Sequence, residues 1–285
     1  MAILSIQSHV AYGYVGNRSA AFPLQRLGHD VWLVNTVQFS NHSGYGQWRG
    51  QVFEAAHVAD VVAGIADRGV MAQCQAVLSG YMGDAATGAV ILDAVAQVRA
   101  ANPRALYCCD PVIGDVGRGV FVRPGIPEFM RERAVPAADI TTPNQFELEY
   151  LTGRTVRTLE DALEATAALR ALGPKVVLVT SLQPEGATSG TVQMLAATAE
   201  GAWRVTTPLL PIQPPPNGAG DAVAALFLAH RLSGRPAAAA LGETAASIFG
   251  IFTATQAAGS RELQLISAQE ELVAPRRRFA VEQVA

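Results

Sequence analysis

Asn217-Gly218-Ala219-Gly220-Asp221 opens an apolar run that continues to about Leu232. Two glycines and an alanine stand where the chain turns into a helix, with an aspartate in its first turn. Free backbone N–H groups at a helix start point at whatever docks there, and the helix dipole favours negative charge. Small residues at 218, 219 and 220 let an anion approach the backbone closely. The stretch therefore offers an anion cradle with a carboxylate on its rim, a layout suited to moving a phosphoryl group onto a hydroxyl. The same residues also suit an ordinary helix start with a capping Asn and tight packing.

Around this stretch, strands and helices alternate. Apolar runs at 2–6, 30–34, 76–78, 105–109, 140–142 and 176–180 read as buried strands. Amphipathic or Ala-rich segments at 18–27, 57–68, 84–101, 127–133, 144–152, 158–171, 219–232 and 236–256 read as helices, with Gly28 and Gly153 placed to end two of them. Segments 191–197 and 202–206 read as an antiparallel pair. Such alternation predicts an α/β fold with a mostly parallel sheet covered on both faces. Ligands in open sheets of this kind bind beyond the C-terminal strand ends. Ser8, Tyr81, Asp110, Asn144, Glu147 and Thr180 gather at those ends. The polar, aromatic and glycine-rich segment 35–46 reads as a flap over a small flat ligand or as a packed β-excursion.

Composition narrows the function classes. With 285 residues, 50% of them hydrophobic and 16% charged, the chain is globular and long enough for one large core. A net charge of −3 gives no reason to expect nucleic acid, and the Arg276-Arg277-Arg278 run reads as a solvated tail. Cys74, Cys108 and Cys109 are an odd set without metal or disulfide spacing. Lys175 is the only lysine, so a G-x-x-x-x-G-K phosphate loop is absent and a Schiff-base lysine is not expected. The Ala-rich 236–258 region, interrupted by Glu243, reads as a buried helix, so no membrane association is expected. The sequence shows no basic leader at its start, and a cytoplasmic location is expected.

Phosphoryl transfer needs an anion cradle, a cation clamp and a base that takes the hydroxyl proton. Gly218, Ala219 and Gly220 supply the first. Asp221, held ionised by the helix dipole, supplies the base. Asp110 and Glu147 are oxygen ligands suited to a hydrated magnesium, directly or through water. Each has a plainer reading: Asp110-Pro111 as a turn starter, and Asn144 with Glu147 as a helix cap and its box partner.

The N-x-x-E at Asn144-Gln145-Phe146-Glu147 and the G-A-G-D at 218–221 resemble the ribokinase-like superfamily. Within it the chain most resembles the pyridoxal kinases. The matching stretches are Ile6-Gln7-Ser8-His9-Val10, Tyr12-Gly13-Tyr14-Val15-Gly16-Asn17, Asn35-Thr36-Val37-Gln38-Phe39-Ser40-Asn41-His42, Leu78-Ser79-Gly80-Tyr81 and Cys109-Asp110-Pro111-Val112. The resemblance implies one three-layer α/β/α kinase domain over residues 1–285 with a flap near 35–50. It implies ATP-dependent phosphorylation of the 5′-hydroxymethyl of pyridoxal and related B6 vitamers. Ser8 would then bond the pyridine ring system, while Val15, Phe39 and Tyr81 pack around it and Ser43 and Gly44 lie beside it. Asp221 would be the base, with Gly218, Ala219 and Gly220 as the anion hole. Asp110 and Glu147 would serve the metal–nucleotide site, and Thr142 and Thr180 the ATP side. Mg2+, assistance by K+ and a homodimer belong to the same expectation.

Two departures stand out. Related bacterial enzymes commonly carry Thr-Gln where this chain has Ser43-Gly44, and Lys where it has Thr180. A hydroxymethylpyrimidine or sugar kinase of the same superfamily, or a non-catalytic vitamer-binding protein, are the alternatives.

Overall fold

The computed structural model describes residues 2–285. The first half runs β1 (Ala2–Val10), α1 (Asn17–Arg26), β2 (Asp30–Phe39), β3 (Gly50–Val52), α2 (Ala55–Ala66), β4 (Cys74–Ser79), α3 (Ala86–Ala101) and β5 (Leu106–Cys109). A small hairpin follows, β6 (Gly114–Asp115) and β7 (Gly119–Val120). Then come α4 (Ile126–Phe129), a π-helical turn at Met130–Ala134, α5 (Val135–Ala137), β8 (Ile140–Thr141), α6 (Gln145–Thr152) and α7 (Leu159–Ala171). The chain finishes with β9 (Val176–Leu182), β10 (Thr191–Ala197), β11 (Ala202–Pro208), α8 (Ala219–Leu232), α9 (Ala237–Ala257) and β12 (Val281–Gln283).

Ten strands form one sheet in the order β12-β11-β10-β9-β8-β5-β4-β1-β2-β3. The six from β9 to β2 are parallel, and the strands beyond them on both edges run antiparallel. Strand side chains alternate between faces, so successive residues enter different cores. Leu4, Val77, Tyr107 and Val177 pack under α2, α3, α6 and α7. Ile3, Leu78, Cys108 and Leu178 pack under α1, α8 and α9. This is the expected α/β sandwich with helices on both faces.

By length and composition alone α9 is apolar enough to cross a membrane. Instead Ala240, Leu241, Ala245 and Ile248 are buried in the second core, as expected for a buried helix.

Differences from the sequence reading fall at the strand ends. β1 and β2 run on to Val10 and Phe39, so the first part of the expected flap is strand. A three-residue strand, β3, pairs with its end. The helix expected at 127–133 is broken into a short α-turn and a π-turn, with Pro136 just beyond.

Asn17 joins the start of α1 to the sheet. It is fully buried, accepts from the Ser5 hydroxyl at 2.7 Å and donates to the Asn35 side chain at 2.8 Å and the Val34 carbonyl at 3.2 Å. Removing one partner of a buried network strands the others. Asn17→Ala is expected to lower the unfolding free energy by about 1–3 kcal/mol, read from urea denaturation with an unchanged m-value.

Candidate active site

The C-terminal strand ends open into a cavity of about 950 Å³. The pairing of β1 with β2 slips between Gln7 and His9, at Ser8. That of β9 with β10 slips between Gln193 and Leu195. Such irregularities re-aim side chains where a ladder ends. Ser8, Val15, Phe39, Ser43 and Tyr81 line the cavity together with Asp110, Thr142, Glu147, Thr180 and the Gly218–Asp221 stretch. Residues from seven separate segments thus share one space.

Gly218 is the N-cap of α8 and adopts φ 85°, which favours glycine. A Cβ there would lie 1.7 Å from the Tyr14 carbonyl oxygen. The Ser19 hydroxyl donates to the Gly218 carbonyl at 2.7 Å. The start of α8 is therefore pressed against the loop that leaves β1. Gly220 differs: the nearest atom to a Cβ there is Asp110 Oδ2, at 3.9 Å. A methyl group at 220 would project toward that carboxylate without striking it.

Burial pushes Asp221 up to about 6, while the N–H groups of Gly16 and of Asp221 itself pull the other way. The N–H groups at the helix start thus favour the ionised form, as expected of this carboxylate, and burial opposes them. At pH 7 a group with this value is still mostly ionised. Asp110 is pushed up to about 7, first by burial and then by the charge of Asp221, against the hydrogen bond donated by the Thr142 hydroxyl at 2.9 Å. Two carboxylates confined together raise one another's proton affinity.

Asn144 and Glu147 form a capping box. The Glu147 N–H donates to Asn144 Oδ1 and the Asn144 N–H to Glu147 Oε2, both at 2.9 Å. Glu147 Oε1 also accepts from the N–H groups of Ile113, at 2.9 Å, and Gly114, at 3.4 Å. The Asn144 amide donates to the Gly114 carbonyl at 2.8 Å. The N-x-x-E motif thus starts α6 and clamps the base of the β6–β7 hairpin. Burial, then the neighbouring Asp110, raises Glu147 well above the usual carboxylate range, opposed by these backbone donors.

Thr180 is buried, and its N–H donates to the Pro143 carbonyl at 2.9 Å. Gly44 does not line the cavity. A Cβ there would meet the Asn217 amide nitrogen at 2.8 Å and the His42 ring at 2.9 Å, so the missing side chain leaves no open gap.

Sequence reasoning missed several groups. Trp48 stacks on Phe39 with centroids 4.1 Å apart. Ile248, Phe249 and Phe252 of α9 form part of an apolar wall. Glu262, outside every motif, ties the flap down. It is buried and accepts from the Tyr45 hydroxyl at 2.6 Å and the Tyr14 N–H at 3.0 Å, and its carboxylate lies 2.9 Å from His42 Nε2. Next to it the Arg261 guanidinium lies 4.1 Å from the Tyr45 ring centroid and donates to the Gly44 carbonyl. Ser43 is held between these anchors. Among the described residues, no cluster of three or more His, Cys, Asp or Glu has the geometry to hold a metal by itself.

The two glycines of the cradle should respond differently to the same change. Gly218→Ala is expected to destabilise the fold markedly, because both φ and the Tyr14 contact forbid a side chain. Gly220→Ala is expected to melt within a few degrees of the parent. Thermal denaturation followed by circular dichroism distinguishes the two.

The phosphomethylpyrimidine kinase family profile matches residues 52–262. A pyridoxal kinase of Rubrobacter xylanophilus is 63% identical, with 99% of this chain and 97% of that protein covered. One from Deinococcus radiodurans is 54% identical, covering 99% and 96%. Among solved structures, the Leishmania donovani pyridoxal kinase in complex with ADP and pyridoxine superposes with a TM-score of 0.91 at 30% identity, covering 100% of this chain and 99% of that one. Both the profile and the relatives extend across the Asp110, Glu147 and Gly218–Asp221 segments, and the relatives also cover the Ser8–Trp48 region. The chain belongs to the pyridoxal kinase family.

Proposed function

We propose that this protein transfers the γ-phosphoryl group of ATP to the 5′-hydroxymethyl of pyridoxal and related B6 vitamers. The observation that carries the reading is one cavity joining the Gly218–Asp221 helix start to an aromatic-lined pocket at Ser8, Phe39 and Tyr81. Ser8 would bond the ring system, with Val15, Phe39 and Tyr81 against its faces and edges and Ser43 above it. Asp221 would orient the hydroxymethyl and accept its proton as the new P–O bond forms. The backbone of Gly218, Ala219 and Gly220 would hold the charge of the group in transit. Gly44 would act through Asn217 and His42, which fill the space a side chain there would need.

Thr142 and Thr180 would face the nucleotide. The residues present fit a hydrated magnesium: Asp110 keeps Oδ2 free of protein hydrogen bonds and turned toward Gly220, whereas both Glu147 oxygens are engaged by backbone N–H groups. Asp110 would therefore reach the ion, with Glu147 contributing through water. Bound there, magnesium would neutralise phosphate charge. Assistance by K+, a homodimer and a cytoplasmic location complete the proposal and rest on family resemblance.

A second reading, phosphorylation of a hydroxymethylpyrimidine, is favoured by the match to the phosphomethylpyrimidine kinase family profile. That profile begins at residue 52 and leaves out Ser8, Val15, Phe39, Ser43 and Trp48, which form the aromatic-lined end of the cavity. The full-length relatives include them. A coupled assay across pyridoxal, pyridoxine, pyridoxamine and hydroxymethylpyrimidine, with ATP and magnesium, decides between the two. Pyridoxal is expected to give the highest kcat/KM, and a strong preference for the pyrimidine overturns the proposal.

Asp221→Asn is expected to reduce kcat by about 10²–10⁴-fold with folding intact. In the parent the ionised base is required, so kcat/KM should fall by about tenfold per unit as pH drops below about 6. Stability should run the other way. The folded-state value lies above the unfolded one, so the native protein binds the extra proton between about pH 4 and 6 and loses stability as pH rises through that window. Asp221→Asn should abolish that part of the pH dependence of the melting temperature. Near-parental turnover in the variant is the result that removes Asp221 from the mechanism.

A further inference from the structure

The cavity holds a charge imbalance. Asp110, Asp115, Glu147 and Asp221 line it, and Arg118 is the only Lys or Arg among its described lining residues. A polyphosphate entering this space meets like charge unless something on the wall offsets it. Thr180 contributes only a neutral hydroxyl. On this basis we propose that Arg118 is a binding residue for the polyphosphate of the nucleotide donor, carried to it on the β6–β7 hairpin; the inference rests on the phosphoryl-transfer reading above.

The local structure supports the assignment. Arg118 is exposed, forms no ion pair among the described residues and lies 4.9 Å from the Phe121 ring centroid. An unpaired guanidinium keeps its planar fork of donors available, which suits phosphate oxygens. Its neighbours Gly117 and Gly119 have φ of 77° and 68°, and a Cβ on either would meet nothing within 4 Å. The hairpin tip therefore stands clear of the protein. Its base does not: Glu147 accepts from the N–H groups of Ile113 and Gly114, and the Asn144 amide grips the Gly114 carbonyl. A Cβ at Gly114 would also lie 2.4 Å from the Phe146 ring, so the hairpin root is seated on the first turn of α6. An anchored root and a free tip deliver one cation to the cavity. Asn144 and Glu147 then act as positioning residues for Arg118, in addition to capping α6.

The test is direct binding by titration calorimetry, using MgATP, MgADP and adenosine as separate probes. Arg118→Ala is expected to weaken MgATP binding by about tenfold and to leave adenosine binding and the melting temperature unchanged. Arg118→Lys should retain most of the affinity for MgATP. In steady-state assays KM for ATP should rise while KM for pyridoxal does not. A purely structural Arg118 would change adenosine and ATP binding together, and that result overturns the proposal. Unchanged MgATP affinity in Arg118→Ala also overturns it while leaving the kinase reading intact. Failure of the parent protein to bind MgATP at all would overturn both.

Discussion

The contact of Gly218 with the Tyr14 carbonyl sets the geometry on which the site depends. It joins the loop leaving β1 to the first turn of α8, two segments about 200 residues apart in the chain. Through it, the residues around Ser8 and the helix start that carries Asp221 belong to a single cavity. A phosphoryl group can pass between two bound molecules only when their reacting atoms are held within near-contact distance. A close-packed backbone contact fixes that distance more tightly than a pair of side chains would. Ser19 and the Gly16 N–H reinforce it, one on Gly218 and the other on Asp221.

The same closeness explains the electrostatics. Drawing Asp221 into the cleft removes it from water and brings it near Asp110. Each carboxylate becomes easier to protonate than in solution. The cavity is thus prepared for cations and for anions accompanied by cations, and it discourages a bare polyanion.

Much of the fold was legible because its signals are local. Alternation of apolar strands with helices of ordinary length fixed the layering, and Gly28 and Gly153 ended helices where expected, with φ of 88° and 66°. Every proposed site residue except Gly44 reached the cavity; most stood at a strand end or a helix start, and Val15 and Ser43 stood in the loops that follow β1 and β2. Asn144 and Glu147 left two readings open, and the structure contains the capping box along with an unforeseen second use, the grip on Ile113 and Gly114. Features that escaped have physical reasons. β3, β6, β7 and β12 have two or three residues each, too few for a period to show. Ile248, Phe249 and Phe252 carry the same helical pattern as a core stripe, and nothing in sequence tells a wall from an interior. Glu262 belongs to no motif, and its partners lie more than 200 residues away.

That last separation bears on the order in which the molecule comes into being. His42 and Tyr45 leave the ribosome more than 200 residues before the carboxylate that fastens them. Domains synthesised from the N-terminus begin to organise before the chain is complete. β1, β2 and the segments around them have their sheet neighbour β4 within the first hundred residues. The flap has to wait for Glu262. A nascent chain can therefore assemble most of its sheet while the flap end of the cavity still lacks its fastening, and that end becomes a finished pocket only once Glu262 has been made.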